Sequence, residues 1–346
     1  MGQSRHVANI YDQKPSIEVN GSSVSSVTAE EFPLLKGMSL RRLLLAPGTI
    51  REPHWHVNGH ELNYCLRGTA LVTMFANGND YHRFTITEGQ MYFVPSGALH
   101  SVENIGGSEC EVIGAVTNER PEDFGLSGSL GVMSDNVIGN TFDLPGEALA
   151  ARSHSSTSTV IDSVERVDTP IRDDGRVDAY KFDIEAQEAP VDTTAGIAKL
   201  ARKQYWNALE DISMYSLRIP DSGMREPHWH PGTAEMGFVA AGAARMTILD
   251  PDGSFDTYEL KAGDLYFVPK AYPHHIEDMG NDEFHFLIFF DRETPGDIGI
   301  RAAMGAFSPE VVAAAFGLPA EQVPPLPFTP ADGLVVSRSN PRDPVV

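Results

Sequence analysis

The sequence predicts an all-β protein made of two copies of one domain, each a barrel or sandwich with a short helical extension. Two observations carry this. The phrase Arg-Glu-Pro-His-Trp-His occurs at 51–56 and again at 225–230, an offset of 225 − 51 = 174 residues. The same offset of 174 carries Glu61 onto Glu235, Gly68 onto Gly242, Gly89 onto Gly263, Pro95 onto Pro269 and His100 onto His274. No insertion separates the copies over this stretch, so the chain is a tandem duplication. Within each copy the apolar segments are short, rich in β-branched and aromatic residues, and punctuated by Gly, Pro, Asn and Asp. That is the pattern of strands joined by turns. A length of 346 residues suffices for two domains with a core each, and 31 Gly with 24 Pro supply the turns.

In chain order, strands are expected at Ser39–Ala46, at Ala70–Ala76 before the turn Asn77-Gly78, and at Gln90–Val94. Helical patterning follows at Glu147–Arg152. The Ser/Thr-rich run Arg152–Thr159 and the Pro/Asp/Gly-rich run 168–176 then mark a boundary. The division expected is a first domain over 1–151, a linker over 152–176, a second domain over 177–323 and a Pro-rich tail over 324–346. Thr194–Asn207 reads as a helix ahead of copy two. Ser213–Ile219, Ala244–Leu249 before Pro251-Asp252-Gly253, and Asp264–Val268 are the partner strands. The longest apolar burst, Phe286–Phe290, suits a buried strand. Ser308–Phe316 opens on Ser-Pro-Glu, an N-cap followed by proline at the first helical position, and is expected as a trailing helix. The tail is expected to be extended over a neighbour or disordered.

A formal net charge of −22 argues against nucleic acid or an anionic membrane as partner. An anionic substrate would have to be drawn by a local positive site. Residues 1–20 lack an apolar signal core and no run of about 18 apolar residues occurs, so a cytoplasmic protein is expected. Cys65 and Cys110 are too few for a disulfide framework. They are expected as buried free thiols, with one bridge left open to them.

The repeated motif is a ligand set. Alternate residues of a strand share a face, so His54 and His56 point into the barrel while Trp55 points out. Glu61 arrives across a short turn, and His100 comes from a distant hairpin whose Pro95 and Gly97 set the bend. His228, His230, Glu235 and His274 repeat the arrangement. A lone His-x-His is commonly a packing feature; the full string with its framing glycines, present twice in register, reads as one metal ion per copy. Three neutral imidazoles and a carboxylate leave a divalent ion with open positions, as a catalytic site needs and a closed structural zinc site lacks. Mn²⁺ or Fe²⁺ suit such mixed ligation, with Ni²⁺, Co, Cu and Zn still open.

These residues resemble the two-part motif of the cupins, and the pair is similar to the bicupin family typified by bacterial and fungal oxalate decarboxylases. The match covers Ser39–Gly106 and Ser213–Gly280 closely. Copy two departs slightly: Gly223 sits one place late, Ala271 replaces a glycine and Asp278 an asparagine. The resemblance implies two jelly-roll barrels, one Mn²⁺ per barrel, oxalate or another small carboxylate as substrate, formate and CO₂ as products, and a trimer or hexamer assembled through the helical extensions. It also implies that Arg51, and Arg225 in copy two, point inward and orient the substrate. Strict alternation would put Arg51 opposite His54, unless Glu52-Pro53 breaks it. A guanidinium beside a metal is a compact anion trap with a fork that fits carboxylates.

The family's lid sequence Ser-Glu-Asn-Ser is absent. In its place stands Thr117–Gly125, an acidic loop of the kind that is usually solvated, in which Glu122 or Asp123, and less readily Glu119, offers a general acid. Without such an acid, oxidation to CO₂ and peroxide would replace decarboxylation. By alternation, copy one points Asn63 and Cys65 inward and copy two points Gly237 and Val239, which predicts a roomier, more apolar second site. Copy one is the expected catalytic site. The alternatives are an Fe- or Ni-dependent dioxygenase acting on a larger organic acid, and a non-catalytic metal-binding bicupin.

Overall fold

Among the described residues thirteen strands build each half of the duplication, and register with their neighbours is what brings the motif residues together. The computed structural model describes residues 4–78, 80–164, 177–280, 282–327, 329 and 333–342. Its chain divides into one unit of Ile10–Ala186 with Trp206–Asp211, and another of Met1–Asn9, Gln187–Tyr205 and Ile212–Val346.

In the first unit, a seven-stranded antiparallel sheet runs in the order Lys181–Asp183, Gln90–Val94, Glu61–Arg67, Cys110–Val116, Ser39–Leu45, Ser22–Val27, Ile17–Val19. A second sheet runs Asp123–Gly125, Thr49–His56, Leu99–Asn104, Thr69–Ala76, Asp80–Thr87, and Ile161–Ser163 also pairs with Thr49–His56. The inward faces close over a core that includes Val72, Met74, Ile86, Tyr92, Val102 and Val112, all nearly or fully buried. Each such side chain contributes on the order of 1.5–3 kcal/mol by leaving water. Both cysteines are buried and free.

The second unit repeats this plan. Its seven-stranded sheet runs Val7–Asn9, Asp264–Val268, Glu235–Ala241, Phe284–Phe290, Ser213–Ile219, Gly196–Ala201, Val191–Thr193. The other runs Phe255–Lys261, Ala243–Leu249, His274–Asp278, Gly223–Trp229, Ile298–Gly299, with Val335–Ser337 also on Gly223–Trp229. Phe286–Phe290 is a fully enclosed strand, as its composition predicts.

Three expectations change. Thr194–Asn207 is not a helix: Gly196–Ala201 is a strand whose burial alternates, paired to Val191–Thr193 through a turn in which the Thr193 hydroxyl donates to the Gly196 carbonyl at 3.2 Å. The run Glu147–Arg152 holds only a 3₁₀ turn at Gly146–Leu149, behind two short α-helices, Leu126–Gly131 and Asp135–Thr141, whose glycines hid them from pattern reading. Within the tail, Val335–Ser337 is a strand paired with Gly223–Trp229 rather than an extended or disordered segment. The trailing helix Pro309–Phe316 forms as expected and stops at Gly317, in the left-handed conformation. The run 168–176 lies outside the described residues.

The strap strands Ile161–Ser163 and Val335–Ser337 occupy equivalent places, because 335 − 161 = 174. The residue before each, Val160 and Leu334, sits at φ 65° and 61°. A branched or bulky side chain rarely takes that conformation, and here both copies hold it with the carbonyl aimed at a buried arginine.

Candidate functional site

Each ligand strand carries a β-bulge at the motif. His54 lies opposite His100 and Arg51 opposite Val102, so three residues on one strand span two on the other. In copy two, His228 lies opposite His274 and Arg225 opposite Ile276. The extra residue turns Arg51 and His54 to one side, which resolves the conflict with strict alternation. Glu52 anchors the bulge: its carboxylate accepts from Val160 N at 2.9 Å and Ser127 N at 3.1 Å. Arg51 and Arg225 are 8% and 3% exposed, so both are interior.

The motif residues converge. In copy one, the ligand atoms of His54, His56 and His100 lie within 4.8 Å of one another, and Glu61 Oε2 is 3.3 Å from His56 Nε2 and 3.4 Å from His100 Nε2. In copy two, His228, His230, Glu235 and His274 fall within 4.8 Å as a group, and Glu235 Oε2 stands 2.7 Å from His230 Nε2 and 3.2 Å from His274 Nε2.

Every one of these rings is tied at Nδ1. His54 Nδ1 donates to the Glu52 carbonyl at 2.8 Å, His100 Nδ1 to Ala98 at 3.0 Å, His228 Nδ1 to Glu226 at 2.7 Å and His274 Nδ1 to Tyr272 at 3.0 Å. His56 Nδ1 donates to Asp123 Oδ1 at 2.7 Å and His230 Nδ1 to Asp297 Oδ1 at 2.7 Å. A carbonyl or carboxylate only accepts, so the proton sits on Nδ1 and the Nε2 lone pair faces the cluster in His54, His56, His100 and His228. His230 Nε2 and His274 Nε2 also lie within hydrogen-bond reach of the Glu235 carboxylate. His56 Nε2, His100 Nε2 and His228 Nε2 are buried with no hydrogen-bond partner. Orphaned nitrogen acceptors converging on a carboxylate are the donor set a divalent metal takes, and the residues fit it.

Electrostatics agree. Burial pushes the Glu61 and Glu235 carboxyls up, but His56 and His100, and His230 and His274, outweigh it and hold both well below the usual range. Burial, with neighbouring imidazoles and arginine, keeps His54 and His228 well below the ordinary imidazole value, hence neutral. Burial lowers Arg51 to about 10, which leaves it cationic at neutral pH.

The lid acids separate. Glu122 is exposed, and its backbone N–H donates to Asn58 Oδ1 at 3.0 Å. Asp123 is itself partly exposed, with its side chain at 24%, but its carboxylate is gripped by the Arg41 fork at 2.7 and 3.1 Å and by His56, with Arg51 Nη2 at 3.6 Å. Burial opposes its charge, but His56 and Arg41 hold its carboxyl below the ordinary value. Asp297 repeats it in copy two, 2.7 Å from His230 and 3.1 Å from Arg225. Sequence reading took this loop as solvated; the signal missed was 297 − 123 = 174.

The second site is less roomy than expected. A Cβ on Gly237 would fall 2.0 Å from the Tyr266 ring, which fills that space and donates its hydroxyl to Glu235 Oε1 at 2.6 Å. Copy two is therefore packed rather than roomy. Copy one has a small cavity lined by Arg41, Arg51, His54, Glu61, Asn63 and His100 among others.

The chain is similar to the oxalate decarboxylase OxdC of Bacillus subtilis, 27% identical over 291 residues that cover 81% of this chain and 74% of the relative. A probable oxalate decarboxylase of Arthroderma benhamiae is 23% identical over 315 residues, 88% of this chain and 76% of that one. Among solved structures, the Bacillus subtilis oxalate decarboxylase studied for its Mn(II) centres superposes with a TM-score of 0.87 at 24% identity, over 98% of this chain and 90% of that one, and so shares its fold. The Cupin family model matches residues 8–149 and 199–324, a span that takes in both ligand sets, and the chain therefore belongs to the cupin family with two such domains in tandem.

Proposed function

We propose that the chain is a metal-dependent bicupin enzyme acting on a small carboxylate, with oxalate decarboxylase-like conversion of oxalate to formate and CO₂ at site one. One observation carries this reading: a small cavity that the buried cation of Arg51 lines opens beside the His/Glu cluster of copy one, while Tyr266 fills the corresponding space of copy two. His54, His56, Glu61 and His100 would hold one divalent ion, and His228, His230, Glu235 and His274 a second. The smallness of the cavity favours a small acid over the larger organic acid of a dioxygenase.

When bound, the ion supplies a Lewis-acidic, redox-active centre, and manganese is our assignment because the similar Bacillus subtilis enzyme is described by its Mn(II) centres. Arg51 donates toward the substrate carboxylate from a guanidinium fixed by the Val160 carbonyl at 3.1 Å. Arg225 is fixed the same way by Leu334 at 2.8 Å, and because Tyr266 fills the space beside the second cluster we give this duplicated cation a structural role. Opening the C–C bond of oxalate yields CO₂ and a fragment that needs one proton to become formate. Asp123 is committed to His56 and Arg41 as an ionised acceptor, so Glu122, next to it on the lid, is our candidate donor. If no acid reaches the fragment, its two-electron oxidation by dioxygen to a second CO₂, with hydrogen peroxide as the reduced product, takes over.

We further place the enzyme in the cytoplasm, where two buried free thiols persist, and infer a trimer or hexamer. Exposed apolar residues on the helical extensions support the assembly: Val137, Phe142 and Leu144 after copy one, Val311, Phe316 and Leu318 after copy two.

The test is product analysis on manganese-loaded protein with oxalate: formate and CO₂ in equal amounts are expected. Arg51→Lys should retain the metal but lose roughly 30- to 100-fold in kcat/KM, because the two-pronged fork is gone. An unchanged kcat/KM in that variant removes Arg51 from the mechanism.

A further inference from the structure

Glu52 takes no part in the chemistry proposed above, yet it is 4% exposed and each of its polar groups is engaged. Its N–H donates to the Val160 carbonyl at 3.0 Å, and its Oε1 accepts from the Val160 N–H at 2.9 Å. One residue thus grips the other on both sides. Its Oε2 accepts from Ser127 N at 3.1 Å, and its carbonyl accepts from His54 Nδ1 at 2.8 Å.

Val160 needs that grip. It is β-branched at φ 65°, a conformation that persists only where the surroundings over-determine it. Its carbonyl, so held, is also the acceptor for Arg51 Nη1 at 3.1 Å. Release of its N–H lets the residue relax toward extended backbone and swings that carbonyl off the arginine. Ser127 belongs to the lid side. It lies in the first turn of Leu126–Gly131, directly behind the lid strand Asp123–Gly125 that pairs with His56, Trp55 and His54. Gly125 passes so near that a Cβ on it would fall 2.5 Å from Glu52 Oε1. Lid, strap and ligand strand therefore meet at one carboxylate. Copy two repeats the plan: Glu226 Oε2 accepts from Arg301 N at 3.0 Å, and its N–H donates to the Leu334 carbonyl at 3.3 Å.

We propose that Glu52 is a positioning residue that ties closure of the lid to the placement of Arg51. Its carboxylate holds the lid through Ser127 and the strap through Val160, so the same group keeps the lid down and the arginine seated. The inference rests on the reading of site one as the catalytic site, and adds a residue whose side chain acts only through others. Loss of the carboxylate orphans two main-chain donors at once, one on each segment, which is what couples them.

Amide hydrogen exchange on manganese-loaded full-length protein tests the brace apart from turnover, with metal content measured in every sample. Glu52→Gln keeps the size of the side chain but turns an amide nitrogen toward one of the two N–H donors. Exchange over 123–131 and over 160–163 should rise together by about 10- to 100-fold, as loss of a hydrogen bond to a charged acceptor implies. Residues 297–304 and 335–337 should not change, and Glu226→Gln should reverse the pattern. The metal should stay, because His54 is held by a backbone carbonyl that the substitution keeps. With oxalate, kcat/KM should fall at least about tenfold, and the peroxide share of the product should rise as the lid lifts. Gly125→Ala serves where Glu52→Gln does not fold, since its methyl presses the lid off the same carboxylate. Lid exchange that stays the same, or rises only along with the whole molecule, overturns the brace. Faster lid exchange with kcat/KM and product ratio both unchanged overturns the positioning role. Loaded protein that turns over no oxalate overturns the proposed function, while the exchange pattern still decides whether the brace exists.

Discussion

At Asp123 a lid carboxylate meets the His56 ring at 2.7 Å, and the Arg41 fork closes on its other side. A carboxylate that fixes the tautomer of a ligating imidazole raises that ring's basicity, and removing it commonly costs a metal site 10- to 100-fold in affinity. Asp123→Asn is therefore expected to weaken manganese retention at site one by about that factor, read by competition with a chelator, while site two keeps its ion. Equal loss at both sites would point to unfolding instead. His82 is outside the His/Glu cluster and shows the other use of a charged pair. Burial disfavours its charge, yet Asp80 and Asp178, each 2.9 Å away, outweigh this and raise its pKa above the ordinary value. Its stabilising contribution is thus complete below about pH 6.5 and fades as pH rises through the raised value of the folded state. Asp178→Asn should cost clearly more stability at about pH 5.5 than at about pH 9, measured by urea unfolding at each pH. A cost that does not change with pH would show that His82 stays neutral in the fold.

Elements, in turn, are decided by a few backbone positions. The hairpin that delivers the last histidine turns at Gly97 in copy one, with φ 78°, and at Ala271 in copy two, with φ 67°. A side chain in the left-handed region is strained, and a Cβ on Gly97 would touch nothing within 4 Å, so only conformation separates the two residues. Gly97→Ala is expected to cost about 1 kcal/mol, and Ala271→Gly to gain roughly 0.5–1 kcal/mol, both read from the midpoint of chemical denaturation. Loss of stability in Ala271→Gly would mean that the alanine methyl packs more than it strains. The same hairpins end on Asn104 and Asp278. Asn104 Nδ2 donates to Leu45 O at 2.7 Å, whereas Asp278 accepts from Gly280 N at 2.8 Å and Phe284 N at 3.0 Å. Asn104 Oδ1 also accepts from Gly106 N at 2.9 Å, as Asp278 does from Gly280 N. The two residues therefore brace the turn alike at that glycine and differ in sense only at their second side-chain atom.

For the whole molecule, the helical extensions present apolar side chains that the single chain leaves uncovered, Phe142 and Phe316 at 64% and 48% exposure among them. Phe142→Asp with Phe316→Asp should convert the proposed oligomer to a species of 37.7 kDa in light scattering, and a wild-type protein already of that mass would remove the assembly from the proposal. The sequence by itself determined the duplication, the strand content and the eight residues of the two His/Glu clusters, because such a motif is a pattern of residue types at fixed spacing that survives in one dimension. It also marked the trailing helix, whose cap and proline are local signals. Only the tertiary structure decided which copy has room. Tyr266 lies 29 residues from Gly237, since 266 − 237 = 29, and no local pattern says that its ring will occupy a glycine's empty place on the neighbouring strand. Likewise Asp123 reads as solvated loop until Arg41, from a strand some 80 residues earlier, closes on it. Spacing along a chain fixes which side chains share a face; which of them fill a cavity or pair their charges depends on strand neighbours that the chain brings together only by folding.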